Sequence, residues 1–259
     1  MYAAIEAAVQ STTSVVRNWR IWFILTSLVC APAARAADPP PDLARRVAAR
    51  ETETAQVESN YAYRQSFSIG ELTNLGTLTG EYREVRDIIF SPQHERIEQV
   101  VGKPSSTLSH LKLTDEDFRD IREVQPFLLT KDQAFLYETT YRGEETVDGI
   151  DCFVLRIRPR QILDGQRLFD GMLWVAEQDY SIIRSAGQAV PQIQTTRTEN
   201  LFPHFTTVRQ KMESGFWFPA ATYADDTLPF RNGPQRIRLT IRYSDYRKFG
   251  ADSKITYQK

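Results

Sequence analysis

The chain has 259 residues, of which 41% are hydrophobic, 11% aromatic and 25% charged. Those proportions exclude a disordered tail, a collagen-like repeat and a protein of many membrane spans. Lys and Arg number 32 against 33 Asp and Glu, a formal net charge of −1, so the balance gives no sign of a nucleic-acid partner, which calls for a basic excess.

Residues 1–36 read as a secretory signal. Arg17 and Arg20 precede the apolar run Ile21 to Ala31, and Ala34-Arg35-Ala36 supplies a small-x-small cleavage site. The run is shorter than the roughly 20 residues a spanning helix needs, although its long charged flank leaves an uncleaved anchor as the alternative. Val29 stands before Cys30, where lipid attachment needs a small residue, so lipidation is not expected. Removal of this segment leaves Cys152 as the sole cysteine, which excludes an intrachain disulfide in a compartment that permits them. Residues 37–259 then form a single exported domain.

After the stiff leader Asp38 to Pro41, the pattern from Asp42 turns helical, with Asp42 as cap and a stripe of Leu43, Val47, Ala48, Thr54 and Val57. Strands follow. Asn60 to Leu72 alternates around Tyr61, Tyr63, Phe67 and Ile69, and Glu81 to Phe90 and Glu95 to Val101 continue the series. Thr114 to Asp117 (TDED) begins a short helix as a capping box, Phe118 and Ile121 share a face, and Pro126 ends it. Phe135 to Tyr141 then pairs with Asp151 to Ile157 across the turn-rich Arg142 to Gly149. Gly171 to Val175 and Tyr180 to Arg184 form a hairpin. Phe205 to Met212, Phe216 to Tyr223, Arg236 to Tyr243 and Lys254 to Tyr257 complete the strands. The fold class is mainly β (α+β): a curved antiparallel sheet or partial barrel with a few helices.

Catalytic chemistry is scarce. His94, His110 and His204 lie far apart and in no ligand spacing, and they read as solvated or packed. The sequence has no nucleophile elbow, phosphate-binding loop or dinucleotide fingerprint. Cys152 sits in a strand without a local basic partner and reads as an inert thiol. Asp115, Glu116 and Asp117 are explained by helix capping rather than by acid–base work. No enzyme activity, cofactor or metal is expected.

Apolar material is abundant. Phe67, Ile89, Phe90, Phe153, Leu155, Trp174, Leu239 and Ile241 all lie in strands. Two short helical segments are too few to cover about ten strands. Either the sheet closes on its own core or it stays open around a ligand.

Three stretches bear on that choice. Tyr141 to Leu155 (YRGEETVDGIDCFVL), Gly171 to Ile182 with its L-W-V and Q-D-Y pieces, and Trp217-Phe218-Pro219 occur in one order along the chain. This ordered set resembles LolA-like outer-membrane lipoprotein-sorting proteins. The resemblance implies a half-pipe of about eleven antiparallel strands with helices as a lid, and a cavity sheltering acyl chains. It implies a periplasmic carrier for lipoproteins or other lipids, with inner- and outer-membrane transport components as partners. Arg86-Asp87-Ile88-Ile89-Phe90 matches a family segment that supplies a cavity-mouth arginine and an apolar wall residue, here Arg86 and Phe90, though Asp87 stands where proline is usual. The extra segment Ser105 to Thr130 marks a divergent branch. A non-catalytic sensor or binding module of the same fold is the second reading, and a secreted hydrolase with a scattered site the third.

Overall fold

The structure, a computed structural model, describes residues 39–195 and 199–249. The proposed signal segment and the expected strand Lys254 to Tyr257 lie outside the described residues.

Helix α1 spans Leu43–Glu58. Asp42 precedes it in a left-handed conformation (φ 61°) with no side-chain cap; its carboxylate accepts from Arg45 instead, at 2.5 Å. The buried face is Leu43, Val47, Ala48, Glu51, Thr54 and Glu58, so two charged residues stand where a plain apolar stripe was expected. Strands β1 (Tyr61–Leu72), β2 (Leu78–Phe90), β3 (Arg96–Val100) and the short β4 (Ser105–Ser106) follow. Helix α2 (Asp115–Arg119) continues into a π-helical turn (Asp120–Val124), and α3 covers Lys131–Ala134. Thr114 N–H donates to Asp117 Oδ2 at 2.7 Å, the return bond of the capping box. The second half is β5 (Tyr137–Val147), β6 (Ile150–Pro159), β7 (Leu168–Ala176), β8 (Ile182–Val190), β9 (Ile193–Gln194), β10 (Glu199–Asn200), β11 (Phe205–Lys211), β12 (Trp217–Phe230) and β13 (Gly233–Lys248).

Eleven strands form one antiparallel sheet in the order β3-β2-β1-β13-β12-β11-β8-β7-β6-β5, with β4 beside β2, while β9 and β10 pair separately. The sheet is curved and does not close into a barrel, with β3 and β5 at its ends. Register shifts in five pairings, among them Tyr141/Gly143 and Trp174/Val175, supply the local kinks that bend strands. The hairpin of β5 and β6 is longer than its sequence suggested. Both strands run to a two-residue turn at Asp148 and Gly149, each with positive φ (52° and 80°), the geometry that matches strand twist. At Gly171 and Gly187, paired across β7 and β8, a Cβ on Gly171 meets Ala186 O at 2.3 Å and the Gly187 Cα at 2.8 Å, so the close backbone approach requires glycine.

The main core lies on the concave face. Phe67 and Ile69 from β1, Leu155 and Ile157 from β6, Leu173 and Val175 from β7 and Leu239 and Ile241 from β13 are all buried there. The segment after Thr114 crosses this face and fills much of it with Ile121, Val124, Phe127 and Leu129. Phe127 stacks on Phe169 with centroids 4.7 Å apart. The lid expected from the sequence is thus part of the core, and the shortage of helices is met by the irregular backbone that follows them.

Candidate functional site: a cavity at one end of the sheet

A cavity of about 500 Å³ remains at the end of the concave face beside the β12–β13 turn. That volume lies within the usual range for small-molecule sites. Its apolar wall comes from four places: Ile69 on β1, Leu111 and Leu113 ahead of α2, Leu201 and Phe202 after β10, and Leu228, Phe230, Ile237 and Leu239 on β12 and β13. Leu201, Leu228 and Ile237 form a small buried cluster of their own, with Leu111 and Phe230 packed against it.

The wall before α2 has no regular structure, so its backbone groups need other partners. Glu71, at the end of β1 and fully buried, supplies them. Its carboxylate accepts the N–H groups of Leu111 (2.5 Å), His110 (2.6 Å) and Ser109 (3.0 Å). Burial disfavours the charged form of Glu71, but these backbone donors outweigh it and hold the carboxyl below its ordinary range. One side chain therefore fastens the cavity wall to the sheet.

The inner end is polar. Asp117 accepts from Thr114 and, at 3.4 Å, from Asn200; burial raises its carboxyl above the usual range. Burial pushes Asp120 up to about 6, against the pull of Arg167. Arg167 grips Asp120 through two bonds, Nε to Oδ1 at 3.0 Å and an NH2 group to Oδ2 at 2.6 Å, and lies 3.8 Å from the Phe202 ring centroid. Gln125 completes the inner lining. Its carbonyl accepts from Thr207 Oγ1 at 2.7 Å and its N–H donates to Asp120 O at 2.9 Å. The outer lining carries exposed His110, Lys112, Arg231 and Asn232.

The apolar residues singled out from sequence fall into four groups. Phe67, Phe153, Leu155 and Ile241 are on the concave face but packed in the filled core, outside the cavity lining. Leu239 is the one residue of this predicted set that belongs both to that core and to the lining. Phe90 is half-buried at the end of β2, packed against the core. Ile89 and Trp174 require correction, because strand alternation turns each away from the concave face. Ile88, not Ile89, is the fully buried residue of its pair. Trp174 lies between the concave-facing Leu173 and Val175 and joins Val147, Cys152, Ala176 and Ile183 on the other face, where its indole N–H donates to Glu145 at 2.7 Å.

Arg86 also sits elsewhere than expected. It is 9% exposed, donates to Glu84 and, at 2.5 Å, to Glu98, and lies 5.3 Å from the Phe67 and 5.4 Å from the Phe118 ring centroids. It tethers sheet to helix and does not line the cavity. Cys152 is buried, and burial first, then nearby acids, push its thiol up to about 11, consistent with an inert group. His94, His110 and His204 are all exposed. Among the described residues, no three His, Cys, Asp or Glu side chains gather as metal ligands.

No protein-family model and no curated protein matches the chain. Similar solved structures include a DUF1329 family protein from Desulfovibrio piger, at 16% identity and TM-score 0.45 over 82% of this chain and 92% of that one. A putative outer membrane lipoprotein-sorting protein domain from Vibrio parahaemolyticus is similar at 10% identity and TM-score 0.39, over 82% and 93% of the two chains. A LolA superfamily protein from Nitrosomonas europaea is similar at 13% identity and TM-score 0.35, over 77% and 92%.

Proposed function

We propose that this chain is a non-catalytic binding protein that shelters acyl chains, of lipoproteins or other lipids, in the cavity beside the β12–β13 turn. The observation that carries the proposal is the cavity itself, about 500 Å³ with an apolar wall of ten Leu, Ile and Phe side chains beside a polar inner end and rim. Each methylene taken out of water is worth about 0.8 kcal/mol, so such a wall favours hydrocarbon without any catalyst. The ordered motifs that resemble those of lipoprotein-sorting proteins support the same reading. The carrier role belongs to this reading: a periplasmic protein, exported by residues 1–36, receiving cargo at the inner membrane and passing it outward. The binding site assigned here differs from the one expected from sequence, since only Leu239 is common to both.

Extraction of the protein purified from the periplasm, followed by mass spectrometry of lipids, tests the proposal. Stoichiometric acyl-bearing lipid is the expected result. Protein free of lipid that also fails to take up a fluorescent fatty acid contradicts it.

A further inference from the structure

The inner end of the cavity is not built for a plain methyl terminus. Gln125 is 5% exposed and lines the cavity, and its side-chain oxygen is buried without a hydrogen-bond partner among the described residues. Its backbone is fixed on both sides, by Asp120 O and Thr207 Oγ1, so the carboxamide is held in place by its own main chain. A buried amide oxygen left without a donor carries a desolvation penalty of roughly 1–3 kcal/mol, which a hydrocarbon end does nothing to relieve.

The charges set a direction. Asp117 and Asp120 lie at the inner end, and their carboxylates oppose an anionic group there. At the outer lining Lys112 is exposed and has no ion pair or hydrogen bond among the described residues. Arg231, also in the lining, is 3.9 Å from Glu199. An anionic group is therefore favoured outside and a neutral one inside.

We propose, building on the acyl-binding reading above, that the preferred ligand is an acyl chain with an anionic outer end and a hydroxyl or amide at its inner end, and that Gln125 selects this inner group. A hydroxyl and an amide N–H each supply the donor that the Gln125 oxygen lacks. A carboxylate only accepts, and a methyl does neither.

Calorimetric titration of the full chain with dodecanoic acid and ω-hydroxydodecanoic acid tests the selection. The two ligands share a head group and a chain length and differ only at the far end. In a wholly apolar cavity the added hydroxyl weakens binding. Here it is expected to strengthen binding roughly 3- to 10-fold, the worth of a net hydrogen bond. In Gln125→Leu the order is expected to reverse. Equal binding of the two acids by the wild-type protein, or tighter binding of dodecanoic acid, overturns the selection while leaving acyl binding intact. A preference that survives in Gln125→Leu overturns the assignment to Gln125. Failure of both acids to bind removes the acyl-binding reading and this one with it. The wild-type comparison stands even if the variant does not fold.

Discussion

Glu51 of α1 and Arg209 of β11 form an ion pair at 2.8 Å, with side chains 0% and 2% exposed. The other Glu51 oxygen accepts the Ile182 N–H at 3.0 Å, and Arg209 also donates to the carbonyls of Ile182 and Phe127. One pair thus joins the first helix, two neighbouring strands and the segment that fills the concave face. Removing one partner leaves a buried charge without compensation. Arg209→Met and Glu51→Leu are each expected to cost about 3–5 kcal/mol in denaturant unfolding, whereas the double replacement recovers much of the loss. Additive losses in the double variant contradict the pairing.

Glu58, at the other end of α1, is buried, and burial raises its carboxyl from 4.5 to about 7 despite nearby Arg209 and Arg96. Protonation is thus easier in the folded state. The contribution of Glu58 is fully present below about 4.5 and is lost as pH rises through about 7. Glu58→Gln is expected to remove that decline and to raise stability at neutral pH by on the order of 2 kcal/mol. Urea midpoints measured across this range check it, and an unchanged pH profile in the variant counts against it.

Glu71 fastens the wall formed by Ser109, His110 and Leu111. Glu71→Ala withdraws the acceptor from three backbone donors. Hydrogen exchange at these amides is expected to rise, and binding of a fluorescent fatty acid to fall, before the main core is affected. Unchanged exchange at Ser109 to Leu111 contradicts the role.

Filled and open parts of the concave face should respond differently. Leu155→Ala, in the packed core at 1% exposure, is expected to cost about 2–5 kcal/mol while acyl binding persists in whatever fraction stays folded. Leu228→Trp, in the cavity wall, is expected to abolish binding by occupying the space at a smaller cost in stability. Thermal melts paired with binding titrations separate the two, and a reversed pattern places the ligand in the core.

Much of the fold was legible because period-two patterning is local. Ile237, Leu239, Ile241 and Tyr243 alternate with Arg238, Thr240 and Arg242 and do face inward. The helix cap at Thr114 was equally clear. The site was not legible, because its lining is gathered from segments such as Leu111 to Leu113 and Leu201 to Phe202 that belong to no strand. Only the folded chain shows that Phe127 and Ile121 plug the middle of the half-barrel and leave the space at its end. Ile89 and Trp174 were misplaced for a simpler reason, since an apolar side chain in a strand can serve either face. The buried Glu51 and Glu58 gave no warning either, because on a helix facing solvent they look like ordinary surface acids.

Photocrosslinking with a diazirine-bearing fatty acid, followed by peptide mapping, tests the cavity assignment most directly. The expected result is labelling confined to the cavity wall, at Leu111, Leu201, Leu228 and Ile237, competed away by unlabelled acid. Labelling spread over Trp174 and the far face of the sheet, or none that competes, contradicts it.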